Sequence, residues 1–214
     1  MKLVSDSFAD NAMIPGEFAF CVPGSIRSPV AMSKNRNPHL AWYDAPPDVK
    51  SFALICHDLD APSKGDDVNQ RDREIPADLP RVDFFHWVLI NMPSDVRGIS
   101  AGSCSKTVVP RGKSGPRTMV GDHEVRHGLN DYTAWFSTDK DMGGTYFGYD
   151  GPCPPWNDSI VHRYVFTLFA LNVALLDIGD RFTGTQVRDA MAGHILTQAD
   201  WSGRYTMNRR LVAA

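Results

Sequence analysis

The sequence predicts a mainly β fold, a β-sandwich with a peripheral helix towards the C-terminus, on three observations. Three short apolar runs, Ser51–Asp58, Phe84–Met92 and His162–Leu171, have strand length and are rich in aromatic and branched side chains. The long stretches between them are dense in glycine, proline and acidic residues and lack helical periodicity. One clear helix pattern occurs, and it comes late in the chain. A βαβ fold would alternate strands and helices throughout.

Taken in order, residues 1–50 are turn-rich and end in Asn35-Arg36-Asn37-Pro38-His39-Leu40-Ala41-Trp42 before Asp44-Ala45-Pro46-Pro47. The first strand follows and breaks at Ala61-Pro62. Residues 63–83 carry Asp66, Asp67, Asp72, Glu74, Asp78 and Asp83 and read as a solvated loop. Pro93 stops the second strand. Residues 94–160 read mostly as loop, with Tyr132–Ser137 as a candidate short strand. After the third strand, Thr183 and Gln186 form a capping-box pattern, and Val187, Ala190, Met191, His194 and Ile195 recur at helical spacing. No repeat or Ser/Gly linker divides the chain, so one domain over residues 1–214 is expected.

Composition excludes some classes. A hydrophobic share of 43 % and a charged share of 22 % are ordinary for a globular chain, not a disordered one. A formal charge of −3 offers no whole-molecule attraction to nucleic acid or an acidic membrane. Asp6 and Asp10 interrupt any secretory apolar stretch, and no run approaches a membrane span. Cys21, Cys56, Cys104 and Cys153 form no C-x-x-C pair and are expected as reduced thiols in a cytoplasmic protein. A homodimer is the expected oligomer on base rates.

Side chains two apart on a strand share a face. His162 and Tyr164 therefore align with Phe166 and Leu168, and His86 with Val88 and Ile90. Asp58 and Asp60 project from the exit of the first strand. If the three strands are neighbours, these groups can line one pocket. A histidine at a strand end is equally a hydrogen-bonded core residue, and Asp58–Pro62 equally an Asx-stabilised turn.

Four segments bear on that choice: Asp58-Leu59-Asp60-Ala61-Pro62-Ser63, His86-Trp87 with Asn91-Met92-Pro93, Gly151-Pro152-Cys153-Pro154-Pro155, and His162-Arg163-Tyr164-Val165-Phe166. In that order they resemble the signature of the phosphatidylethanolamine-binding protein family, in particular its bacterial Raf-kinase-inhibitor-like branch. Ser7-Phe8, Ile14-Pro15, Asn37-Pro38 and Trp42 resemble the opening of that branch, and Gly184 to Tyr205 its closing helix and final segment. The resemblance implies an antiparallel β-sandwich with a small anion pocket at one end. It implies ligand-binding roles for Asp58, Asp60, His86, His162 and Tyr164, and a pocket-edge loop that includes Gly151, Pro152 and Pro154. The implied ligand is phosphate, a phospholipid headgroup or a phosphopeptide, with a kinase or protease as the implied regulated partner. The segments 63–83 and 100–127 look longer than in compact bacterial members and bear on the pocket mouth.

Phosphate oxygens accept hydrogen bonds, and imidazole N–H and phenol O–H groups donate them. Protonated histidines would strengthen those bonds, so anion binding is expected to weaken as pH rises through the histidine range. Asp58 makes sense if it orients a histidine or accepts a ligand ammonium.

The rival motifs lack their contexts. His123-Glu124-Val125-Arg126-His127 spells a zinc-protease H-E-x-x-H, but glycines and prolines on both sides leave no room for the required helix. No metal or other cofactor is therefore expected. Gly112-Lys113-Ser114 resembles the end of a P-loop, but Thr107 replaces its first glycine. Lys106, Arg111, Lys113 and Arg117 read as a basic solvated loop open to an acidic partner. The alternative function is a hydrolase of phosphoesters, with His86 and His162 as acid and base and Asp58 as orienter. It lacks an evident nucleophile, and a binding protein rather than an enzyme is expected.

Overall fold

The computed structural model describes residues 1–212. Short strands open the chain: β1 (Lys2–Val4), β2 (Ala12–Met13), β3 (Cys21–Pro23), β4 (Val30–Met32) and β5 (Leu40–Tyr43). The long strands β6 (Ser51–Pro62) and β7 (Arg81–Pro93) come next, then β8 (Gly98–Ile99), β9 (Arg117–Val120) and β10 (His123–His127). A single helical turn, α1 (Tyr132–Trp135), precedes β11 (His162–Leu171). The chain closes with α2 (Gly184–Ala190), β12 (Ile195–Tyr205) and α3 (Arg209–Val212).

Strands make up 37 % of the residues and helices 8 %, so the fold is mainly β as expected. The large sheet has the order β2-β12-β11-β6-β7-β10-β9, with smaller sheets β1-β5-β8 and β3-β4. The large sheet is mixed, not purely antiparallel, because β2 pairs parallel to β12. The predicted strands β6, β7 and β11 are its centre, adjacent in the order β11-β6-β7. One face of this centre, including Phe52, Leu54, Trp87, Leu89, Phe166 and Leu168, packs on Trp42 and Ile99 of the three-stranded sheet. The other face, with Ile55, Val88, Ile90 and Phe169, is covered by Phe182, Val187 and Met191 around α2. Burial on both faces explains why these strands read as continuous apolar runs.

Several boundaries differ from the expectation. β6 and β7 extend beyond their apolar stretches, so Asp60 and Asp83 also lie within strands. Cross-strand pairing such as Pro62 to Arg81 carries them past the hydrophobic run. Tyr132 begins a helical turn instead of a strand, since Trp135 and Phe136 bond back to Asp131 and Tyr132. The capping box at Thr183 and Gln186 is present, but α2 stops at Ala190. Gly193, at φ 79°, follows, and Ile195 enters β12.

The H-E-x-x-H segment is strand β10, paired to β9 and β7, with His127 buried and accepting from Trp87 Nε1. Lys113 is not solvated: its ammonium bonds buried Asp150 and the Tyr149 carbonyl. Cys21 and Cys153 are joined in a disulfide, their Cα atoms 5.1 Å apart, so the expectation of four reduced thiols is corrected. Their separation of 132 residues hid the pairing, and the bridge removes the thiol argument for a reducing compartment. No helix among the described residues is long and apolar enough to cross a membrane.

Candidate functional site

Two bulges decide where the polar side chains of the central strands point. Cys56 pairs with Trp87 but His57 pairs with Phe85, so His86 is an extra residue in β7. The bulge breaks simple alternation. His86 faces the cavity beside Phe84, and Val88 and Ile90 face the opposite cluster, contrary to the expected alignment. A second irregularity, between Asp58 and Ala61, separates the two acids of the D-x-D stretch. Asp58 keeps to the inner face, and Asp60 turns to Arg163, whose guanidinium it binds through both carboxylate oxygens at 2.7 and 2.8 Å.

Register does the rest. Tyr164 pairs with Asp58, and Asp58 with Phe84, which sets a row across β11, β6 and β7. The row forms the floor of a cavity of about 430 Å³, within the usual range for small-ligand sites. Asp58, His86, His162 and Tyr164 all line it. Phe20, Tyr132 and Phe136 form one wall, and the Cys21–Cys153 bridge with Pro154 and Pro155 another. At the mouth Met32, Val82 and Trp135 are exposed.

Of the residues expected around a ligand, Asp58, His86, Pro154, His162 and Tyr164 thus meet in one cavity. Asp60, Gly151 and Pro152 do not line it. Asp60 is held by Arg163. Pro152 accepts main-chain hydrogen bonds from Phe20 and Cys21. Gly151 lies so near the Phe18 carbonyl that a Cβ would stand 2.1 Å from its oxygen. These residues frame the cavity wall from behind.

The two histidines occupy opposite electrical states. His162 is 1 % exposed, with Nδ1 2.7 Å from Asp58 and Nε2 3.0 Å from Asp158. Burial opposes its charge, but Asp58 and Asp158 outweigh burial and raise its pKa to about 9. Arg81 grips Asp158 from the far side at 2.6 and 3.1 Å. Burial likewise opposes ionisation of Asp158, yet the bonds from His162 and Arg81 hold its pKa below the carboxylate range.

His86 is the reverse. Burial lowers its pKa to about 4, against the pull of Asp58 and of the Asp150 carbonyl. Its Nδ1 lies 2.7 Å from that carbonyl, while the Asp150 N–H donates to the His86 carbonyl at 3.0 Å. Asp150 is fully buried and accepts from Asn35, Asn130 and Lys113 at 2.7–3.0 Å. The bulged histidine is therefore clamped by a buried polar network. Tyr164, at 0 % exposure, carries a hydroxyl with no hydrogen-bond partner. Burial, and after it the charge of Asp58, push its pKa well above the phenol range.

Sequence reasoning missed Asp150, Asp158, Tyr132 and Lys113. Asp158 stands four residues before His162, but the intervening loop has no pattern that distinguishes it. Among the described residues, no cluster of three or more His, Cys, Asp or Glu side chains is arranged to hold a metal ion.

Comparison with known proteins adds a lineage to this geometry. Residues 4–206 match the family model described as phosphatidylethanolamine-binding protein. The UPF0098 protein YbhB of Escherichia coli is 29 % identical over 96 % of this chain and 100 % of its own length. A UPF0098 protein of Methanothermobacter thermautotrophicus is 31 % identical over 96 % of this chain and 98 % of its own. The crystal structure of Escherichia coli YbcL, described as a member of the mammalian PEBP family, superposes with a TM-score of 0.65. It is 20 % identical and is covered over 96 % of this chain and 97 % of its own, which demonstrates a shared fold.

Proposed function

This chain belongs to the phosphatidylethanolamine-binding protein family, and from that premise we propose that its cavity binds a small oxyanion, of the phosphoester kind, carried on an apolar group. The observation that carries the reading is the floor: a buried Tyr164 hydroxyl without a partner beside the His86 ring, both lining the cavity. Buried polar groups are nearly always satisfied, so an orphaned hydroxyl in a cavity floor marks where a ligand atom belongs. Exposed Met32, Val82 and Trp135 at the mouth suit an apolar extension of the ligand.

In this reading Tyr164 and His86 touch the ligand, and Asp58, His162, Asp158 and Arg81 form a rigid, charge-balanced frame for the floor. Pro154 walls the cavity, with Asp60, Gly151 and Pro152 holding the frame behind it. Neither histidine titrates between about pH 5 and 8, so loss of a histidine proton is not what would weaken binding over that range. His162 is charged but spends both N–H groups on carboxylates.

That arrangement also favours binding over the phosphoester hydrolase. A general acid and base must reach the substrate, and His162 is engaged on both sides by protein. Nothing in the pocket geometry favours a kinase or protease partner over a free ligand, and the proposal is confined to the ligand.

The test is calorimetric titration of wild type, His86→Ala and Tyr164→Phe with O-phosphoethanolamine and phenyl phosphate. Saturable binding weakened about tenfold or more in each variant is expected. Equal affinity in all three proteins would place the ligand elsewhere.

A further inference from the structure

The hydrogen-bond inventory of the floor is unusual for an anion site. His162 donates through both nitrogens, to Asp58 at 2.7 Å and to Asp158 at 3.0 Å, and has nothing left to offer. Tyr132 is spent as well, its hydroxyl donating to the Gly151 carbonyl at 2.9 Å. His86 donates from Nδ1 to the Asp150 carbonyl at 2.7 Å, which fixes the tautomer. Its Nε2 then presents a lone pair, not a hydrogen. The free floor therefore consists of one hydroxyl, on Tyr164, and one acceptor, on His86.

Charges around the His86 ring decide whether it could take a second proton and become a donor. From β6, Asp58 favours that proton, and from β11 the His162 cation opposes it. The rings of Tyr132 from α1 and Tyr164 from β11 meet it edge-on at 5.5 and 5.1 Å, with Phe84 of its own strand at 5.0 Å. Asp150 and Gly151 contribute their carbonyls, which favour the proton, the Asp150 carboxylate being satisfied by Asn35, Asn130 and Lys113. Asp58 in turn is occupied by the Asp60 N–H and by His162. Burial dominates the sum, and the ring is neutral at physiological pH.

A fully ionised oxyanion brings only acceptors. Against this floor, one of its oxygens would face the Nε2 lone pair, and the buried nitrogen would stay unsatisfied. An oxyanion that keeps one hydrogen matches the floor: its O–H donates to His86 Nε2, and another oxygen accepts from Tyr164. Resting on the oxyanion reading above, we infer that the pocket selects oxyanions still bearing a proton, hydrogen phosphate- or hydrogen phosphonate-type groups, and rejects sulfate- and sulfonate-type isosteres. His86 is the specificity-determining residue, and Asp150 positions it.

The test compares phenylphosphonate with benzenesulfonate on the wild-type protein, by NMR titration from pH 6 to pH 9. The two are close in shape, and as monoanions they differ at the head chiefly by one hydrogen. Phenylphosphonate should perturb the pocket resonances saturably and lose about tenfold in affinity per pH unit above its second ionisation. Benzenesulfonate should bind at least roughly tenfold more weakly at pH 6, the cost of an unmatched buried acceptor. Comparable binding of the two at pH 6 would overturn proton selection and leave the oxyanion reading standing. So would a parallel gain of both as pH falls, because then His86 itself takes up the proton. If neither ligand perturbs the pocket, the oxyanion reading falls, and this inference with it.

Discussion

Tyr164 places a phenol where burial makes an unpaired hydroxyl costly. Replacing it with phenylalanine removes a group that does nothing for the unliganded fold. Tyr164→Phe should leave stability within about 1 kcal/mol of wild type, or raise it, as urea unfolding would report. A loss of several kcal/mol would mean that the hydroxyl has a structural partner. His162 is the opposite case. His162→Ala strands Asp58 and Asp158 without their shared cation, and about 3–5 kcal/mol should be lost in the same measurement. Strand spacing alone indicated that His162 and Tyr164 share a face, and both line the same cavity. It could not indicate that one histidine would be held between carboxylates and the other by a main-chain carbonyl, because Asp158 and Asp150 arrive from loops without a periodic pattern.

At the level of elements, hydrophobic runs marked the three central strands and the capping box marked the start of α2. What they could not mark were the bulges. A single extra residue at His86 reverses which of its neighbours share its face, and nothing in the composition of β7 announces it. The wall built by residues 150–155 depends on close backbone approach. Gly151→Ala would drive a methyl group against the Phe18 carbonyl, and thermal unfolding should show a loss of about 2 kcal/mol or more. An unchanged melting temperature would show that the wall can yield. The same wall is tied to β3 by the Cys21–Cys153 bridge across a long loop. Reduction should therefore lower stability by up to about 4 kcal/mol and restore four titratable thiols.

On the scale of the whole molecule, the buried histidines give the protein a stability maximum near neutral pH. His162 has a folded pKa of about 9, so its contribution is complete below the unfolded value and fades as pH climbs through 9. Burial lowers His86 to about 4 and His127 to about 3, so the unfolded chain gains protons first, and stability declines as pH falls below about 6.5. The alkaline limb is worth on the order of 3 kcal/mol, and the acid limb, with two histidines, on the order of 6 kcal/mol by pH 4. Urea midpoints from pH 4 to 10 should trace this dome, and His162→Gln should flatten its alkaline side. The mainly β architecture and the central sheet were legible because apolar runs carry strand information directly. The mixed pairing of β2 and the disulfide were not, since both join stretches far apart in the chain. The central claim is that a ligand oxyanion meets His86 and Tyr164 at the cavity floor. A crystal structure with O-phosphoethanolamine tests it most directly. Phosphoryl oxygens within hydrogen-bonding distance of both His86 Nε2 and Tyr164 Oη are predicted, and a ligand bound outside this cavity would contradict the account.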